Sequence, residues 1–311
     1  MLSIQEAAQK LSQGGIVGIP TETVYGLAAD ALNVDAVTKV FEAKNRPSFD
    51  PLICHVDRVE AMQALTCEPL SQAVRDLVEA FCPGPLTIIL PKAEHVPDLV
   101  TAGLDTVGIR IPDHPMTLEL LRTLGKPLAA PSANPFGYVS PTTAEHVVQQ
   151  LGDRIDGVMD GGACRVGLES TIVAYQKGRW TVLRLGGLEL NQLETILGPV
   201  EVKLSSSQPK APGQLSSHYS PGRNIALRDH GHNWSHETRQ PGDTWISWDI
   251  TAGCDLALSP DGSTQSAAQH LFQMLRDLDN GQDGRVLIEK APDVELGPAI
   301  NDRLTRSAHP A

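Results

Sequence analysis

Cysteine is scarce in this chain, and what there is forms no pattern. Cys54, Cys67, Cys82, Cys164 and Cys254 are odd in number, scattered and never spaced as CxxC. That argues against a zinc site or a disulfide framework and predicts reduced thiols. Cations are also in deficit: 25 Lys and Arg face 37 Asp and Glu, a net charge of −12. Residues 1–200 carry 15 against 23 and residues 201–311 carry 10 against 14, so no basic half hides in the average. Such a balance argues against binding nucleic acid mainly by neutralising phosphates. Nowhere do eighteen apolar residues run together, and Met1-Leu2-Ser3-Ile4-Gln5-Glu6 has neither a basic n-region nor an apolar h-region. These absences predict a cytoplasmic protein. There is no GxxxxGK[ST] loop and no GxSxG elbow, which argues against ordinary NTPase and serine hydrolase chemistry.

What is present reads as two α/β domains. At 311 residues, 41% hydrophobic and 20% charged, the chain is an ordinary globular sequence too long for one core. Short apolar runs predict strands at 15–19, 51–56, 86–90, 107–111, 128–130, 158–159, 170–174 and 180–185. Helical periodicity marks 34–43, 71–81, 115–124, 142–151 and 191–197 between them. The alternation predicts a mixed sheet with flanking helices, including a hairpin near Gly178. Residues 203–222, rich in Ser, Pro and Gly, read as a linker between domains at 1–202 and 223–311. Beyond it, strands at 225–227, 245–248 and 286–289 and a helix at 263–278 predict a smaller α/β unit, whose apolar-poor stretch 229–243 reads as a flexible loop.

The candidate chemistry starts with Lys44-Asn45-Arg46-Pro47, two cations together in an acidic chain. Proline biases Arg46 toward extended geometry, and extended residues two apart project to one side. An Arg fork and a Lys point charge, held at a solvated strand mouth, suit a polyphosphate. Pro20-Thr21-Glu22-Thr23 follows the first strand, where open α/β sheets place ligands. Pro131-Ser132-Ala133-Asn134 ends another strand, and Ser140-Pro141-Thr142-Thr143 precedes a helix, where Ser140 or Thr142 serves as an N-cap with Glu145. The glycine-rich turn Gly161-Gly162 to Gly167-Leu168-Glu169-Ser170 offers backbone N–H groups to an anion.

In order along residues 5–200, PTETVYGL, AKNRP, PLICHV, FCPGPLTIIL, TVGIRIP, PLAAPSAN, SPTTAEHV, DGG, GLESTIV and LRLGG resemble the threonylcarbamoyl-AMP synthase family, the YrdC-type domain. The linker and C-terminal region resemble its long members, in which a Rossmann-like domain follows. The resemblance implies a YrdC-like twisted mixed sheet and an L-threonylcarbamoyladenylate synthase, a nucleotidyltransferase that joins L-threonine, bicarbonate and ATP and releases pyrophosphate. It implies ATP with Mg2+ held through the phosphates, without redox cofactor or zinc, and a product passed to tRNA-modification proteins for threonylcarbamoyladenosine. Catalytic positions would be Lys44 and Arg46. They match ATP-binding positions together with Ser48, Thr106, Ser132, Asn134, Ser140 and Arg184. Thr21, His55, Arg110, Ala130 and Ser170 match positions around threonine, with Arg110 as partner of its carboxylate. The family linker motif APG-x-x-YRHYAP is altered here, because Ser216 and Ser217 replace its Tyr and Arg and leave His218 and Tyr219 as weak linker contacts. Two alternatives are weighed: an RNA-binding module, and the related carbamoyl-adenylating enzyme of hydrogenase maturation. The latter adds modules with clustered cysteines that this chain lacks.

Overall fold

Helices begin where a side chain accepts the first free N–H groups. In the computed structural model of the chain, the described residues are 1–47, 49–204, 223–278 and 284–308. Ser3 and Glu6 form a reciprocal capping box before α1 (Ile4–Ser12), a helix the periodicity does not predict although the S-x-x-E spacing signals it. Asn33 caps α2 (Val34–Lys44), and α3 (Val59–Ala64) follows with no side-chain cap. Ser71 caps α4 (Gln72–Phe81), and α5 (Asp98–Thr101) is a single turn. Pro115 opens α6 (Pro115–Leu124), where a missing N–H costs nothing. Thr143, neither Ser140 nor Thr142, caps α7 (Ala144–Leu151) by accepting the His146 N–H at 3.3 Å. This correction leaves the Ser140 hydroxyl available for another partner. The last helix of the first unit is α8 (Leu190–Leu197).

The strands of this unit are β1 (Val17–Ile19), β2 (Gly26–Asp30), β3 (Ile53–His55), β4 (Leu86–Pro91), β5 (Thr106–Arg110), β6 (Leu128–Ala129), β7 (Thr171–Gln176), β8 (Arg179–Arg184) and β9 (Glu201–Val202). They form one mixed sheet in the order β1-β2-β6-β3-β5-β4-β7-β8-β9. The β7–β8 hairpin turns at Lys177 and Gly178, with φ of 51° and 80°, the left-handed pair that matches strand twist. The strand expected at 158–159 is a single bridge between Val158 and Gly18, because Gly157 at φ 139° and the glycines at 161 and 162 interrupt extended pairing. Alternation along β2 builds the core. Leu27 and Ala29 pack with Ala36 and Val40 of α2 and Val147 and Leu151 of α7. Ala28 points the other way, onto Leu11 of α1 and Leu120 and Leu121 of α6. The sheet is thus covered on both faces at this end.

The described residues divide into two compact units, 1–136 with 140–165 and 169–204, and 137–139 with 166–168, 223–278 and 284–308. The second holds β10 (Asn224–Arg228), β11 (Thr244–Ser247), β12 (Leu256–Ala257) and β13 (Arg285–Glu289), all parallel in the order β10-β13-β11-β12. Helices α9 (Thr264–Asp277) and α10 (Gly297–Ser307) complete a Rossmann-like layer arrangement. The stretch 229–243 is anchored rather than loose. Trp234 is buried in it, 5.4 Å from the Trp245 ring, and its Nε1–H donates to Glu289 at 3.2 Å. Among the described residues no helix is long and apolar enough to cross a membrane, and all five cysteines are free.

Candidate active site

The cation pair is built by the end of α2, not by a strand. Asn45 takes the left-handed conformation (φ 52°), which terminates the helix with Lys44 as its last residue. Lys44 and Arg46 therefore do not extend side by side, and neither is solvated as the sequence suggests. The Lys44 side chain is only 1% exposed, and its Nζ donates to the carbonyls of Ser132 (2.5 Å) and Asn134. Arg46 pairs with Asp50 at 2.9 Å and donates to the carbonyls of Asp50 (3.2 Å) and Pro51 (3.0 Å). Burial pulls the ionisation of both cations down, and for Lys44 the neighbouring Arg46 adds to it. Asp50 is pushed up by burial and held down by Arg46, Lys44 and Arg184. Lys44 and Arg46, close to Asp50 in sequence, and Arg184, distant from it, thus all act on one buried carboxylate. Its Oδ1 has no hydrogen-bond partner among the described residues. Sequence reasoning missed Asp50, although its i,i+4 spacing from Arg46 is a usable signal.

A second group forms where β3 and β5 run parallel and pair His55 with Arg110. His55 is buried, its Nδ1 3.2 Å from the Ile53 carbonyl, and burial followed by the Arg110 charge pushes its pKa from 6.5 down to about 3. Arg110 Nη2 lies 2.7 Å from Glu22 Oε1. This is a buried ion pair, and neither atom has a further hydrogen-bond partner among the described residues. The Thr21 hydroxyl, beside Glu22, donates to the Val24 carbonyl at 2.6 Å and meets the Thr23 hydroxyl at 2.8 Å. Burial pushes the thiols of Cys82 and Cys164 up to about 12, which keeps them neutral and unsuited to nucleophilic work.

His55 allows a pH prediction. Its folded pKa is depressed, so its stabilising contribution is complete above 6.5 and is lost as pH falls toward about 3. Between those limits the unfolded chain binds a proton that the fold refuses, at roughly 1.4 kcal/mol per pH unit. Urea unfolding from pH 7 to pH 4 should show His55→Asn losing stability less steeply than the unaltered chain. Parallel slopes would contradict burial of a neutral imidazole.

The remaining polar groups sit on strand ends and loops of the same unit. Arg184 Nε donates to the Ser170 carbonyl and Nη2 to the Ser170 hydroxyl, each at 3.0 Å, and that hydroxyl lies 2.7 Å from Thr87 Oγ1. Ser140 donates to Glu169 Oε1 at 2.7 Å. Gly186 of LRLGG lets these strands pass: a Cβ there would stand 2.2 Å from the Glu169 oxygen and 2.5 Å from the Ser170 carbonyl carbon. The Ser132–Asn134 loop is held beside the loop after β1, with Ala133 N–H donating to Tyr25 at 2.8 Å and Leu27 N–H to Pro131 at 2.7 Å. Ala130 N–H donates to the Ile53 carbonyl at 3.0 Å. Thr106 shares a face of β5 with Arg110 but sits at the far end, roughly 13 Å along the strand. Ser48, His218 and Tyr219 lie outside the described residues. Besides Asp50, sequence reasoning gave no role to buried Thr87, nor to Glu22, Glu169 and Tyr25 within the segments it marked; the Tyr25 hydroxyl donates to Gly162 O (2.8 Å) and accepts from Gly161 N (3.0 Å).

With this geometry in view, comparisons with known proteins are specific. A family model described as telomere recombination matches residues 9–186, and one described as the C-terminal domain of threonylcarbamoyl-AMP synthase matches residues 188–309. A threonylcarbamoyl-AMP synthase of Bacillus subtilis is 38% identical, over 98% of this chain and 92% of its own length. The crystal structure of P. abyssi Sua5 complexed with L-threonine has a TM-score of 0.89 and 34% identity, covering 98% of this chain and 94% of that one. Full-length HypF, at 21% identity and a TM-score of 0.51 over 60% of this chain and 29% of its own, shares the fold alone.

Proposed function

This chain belongs to the threonylcarbamoyl-AMP synthase family, and on that premise we propose how its residues do the work. It makes L-threonylcarbamoyl-AMP, the activated intermediate of threonylcarbamoyladenosine formation in tRNA. Threonine captures bicarbonate as a carbamate. The carbamate oxygen attacks the α-phosphate of ATP in line and expels pyrophosphate, which makes the enzyme a nucleotidyltransferase. Such a reaction needs positioning and charge neutralisation more than a covalent nucleophile. Lys44, Arg46 and Arg184 carry the triphosphate, and Asp50 holds these cations against their mutual repulsion. Ser48, Thr106, Ser132, Asn134 and Ser140 contact the rest of the nucleotide. Thr21, His55, Arg110, Ala130 and Ser170 surround threonine, with the Arg110 fork on its carboxylate.

Mg2+ would arrive on the ATP phosphates and supply charge neutralisation for the leaving pyrophosphate, while Asp50 is already engaged by the neighbouring cations. We assign the catalytic domain to residues 1–202, the linker to 203–222, with His218 and Tyr219 reaching the ligand, and the Rossmann-like domain to 223–311. The protein works in the cytoplasm and hands its adenylate to separate tRNA-modification proteins.

One observation carries the reading. Arg184, which we assign to the nucleotide, hydrogen-bonds to Ser170, which we assign to threonine, and this contact supports one site for both substrates. Pyrophosphate release should fall at least about tenfold when either threonine or bicarbonate is omitted. Serine, lacking a methyl group to bury, should be used about tenfold or more less well. Undiminished release without threonine would sink the proposal.

A further inference from the structure

Glu22 and Arg110 are both buried, 1% and 4% exposed, and only the arginine has a role so far. Arg110 Nη2 and Glu22 Oε1 stand 2.7 Å apart, yet neither atom has a hydrogen-bond partner among the described residues. Glu22 Oε2, by contrast, is fixed by the Asp113 N–H at 3.0 Å, which orients the carboxylate and leaves Oε1 facing the guanidinium. A buried, oriented ion pair presents one charge of each sign side by side, and a ligand carrying both signs can exchange its own charges into it. An α-amino acid carries its carboxylate and its ammonium on one carbon, so a receptor for both needs a cation and an anion a few ångströms apart.

Resting on the function proposed above, we propose that Glu22 and Arg110 form a receptor for zwitterionic threonine. The guanidinium takes the α-carboxylate, and Glu22 Oε1 takes the α-ammonium and then its proton. The ammonium has no lone pair until that proton leaves. Once it has moved to Glu22, the amine nitrogen attacks the bicarbonate carbon and a C–N bond forms. The departing hydroxyl leaves as water with a second hydrogen of the amine, and the proton on Glu22 passes to solvent. The charged and titratable groups facing Glu22 are Arg110 and the thiols of Cys82 and Cys164, which burial keeps neutral. His55 faces Arg110 and, with its pKa pushed down to about 3, is too weak a base to compete.

The test uses Glu22→Gln and Glu22→Asp in the full chain. Its readouts are ATP binding, binding of L-threonine against 3-hydroxybutyrate (threonine without its amine), and threonine-dependent pyrophosphate release from pH 6.5 to 9.5. Glu22→Gln should bind ATP and 3-hydroxybutyrate as the unaltered chain does and lose about 100-fold in kcat near neutrality. Part of the rate should return as pH rises and more threonine arrives as free amine. Glu22→Asp should fall between the two, and decides by the same readouts if Glu22→Gln does not fold. Unchanged turnover would overturn the assignment. So would an equal loss of affinity for threonine and 3-hydroxybutyrate with no recovery at high pH, since Glu22 would then only prop Arg110. Failure of the proposed function looks different: no threonine-dependent pyrophosphate from the unaltered chain, while the two binding assays still compare threonine with its amine-free analogue.

Discussion

Lys44→Met should reduce adenylate synthesis about 10²–10³-fold while leaving the protein folded. The ammonium feels the charges of Arg46 and Asp50 and also holds the Ser132 and Asn134 carbonyls, so its removal takes away charge and loop geometry together. Two stability effects oppose each other. The carbonyls lose a donor, at roughly 1–3 kcal/mol each, while the cost of burying an ammonium disappears. pH separates them. In the fold, burial and then Arg46 hold Lys44 well below its ordinary value of 10.5, so the unfolded chain binds that proton more tightly. Stability of the unaltered chain should therefore rise with pH toward that value, and Lys44→Met should lack that component of the rise. Urea unfolding at pH 7 and pH 10 measures the difference. Retention of more than about a tenth of the activity would reduce Lys44 to a loop anchor.

Arg184→Ala should be nearly as damaging, about 10²-fold or more, and it should damage both substrates. The Arg184 charge helps hold the Asp50 carboxyl down, and its guanidinium grips Ser170 through its carbonyl and hydroxyl, each at 3.0 Å. Its loss should raise KM for ATP and for threonine together. Arg184→Lys keeps the charge without the planar fork, so ATP affinity should recover in part while threonine KM stays high. Separate titrations of the two substrates give the answer. A change confined to ATP would mean that Ser170 keeps its place without the arginine.

What the sequence by itself determined is whatever short-range physics writes into it. Apolar period and terminal residues locate α4, α6 and α9, each with Ser71, Pro115 or Ser263 at its start. Lys177-Gly178 marks the hairpin because left-handed residues suit its turn. Seven of the twelve described candidate site residues stand in loops that the motifs mark, and Lys44, His55, Thr106, Arg110 and Arg184 stand in helices or strands. The partners of those residues were decided only by tertiary structure. Glu22 meets Arg110 because the loop after β1 lies against the end of β5, and Ser140 finds Glu169 because Thr143 takes over the helix cap. Burial was equally illegible. Two cations in an acidic sequence read as solvated, but the left-handed Asn45 ends α2 at Lys44 and turns Arg46 onto Asp50. A carboxylate at one position and a guanidinium tens of residues away leave no periodic trace in the sequence. Their attraction is set by distance and by the loss of water around them, and both exist only once the strands have assembled.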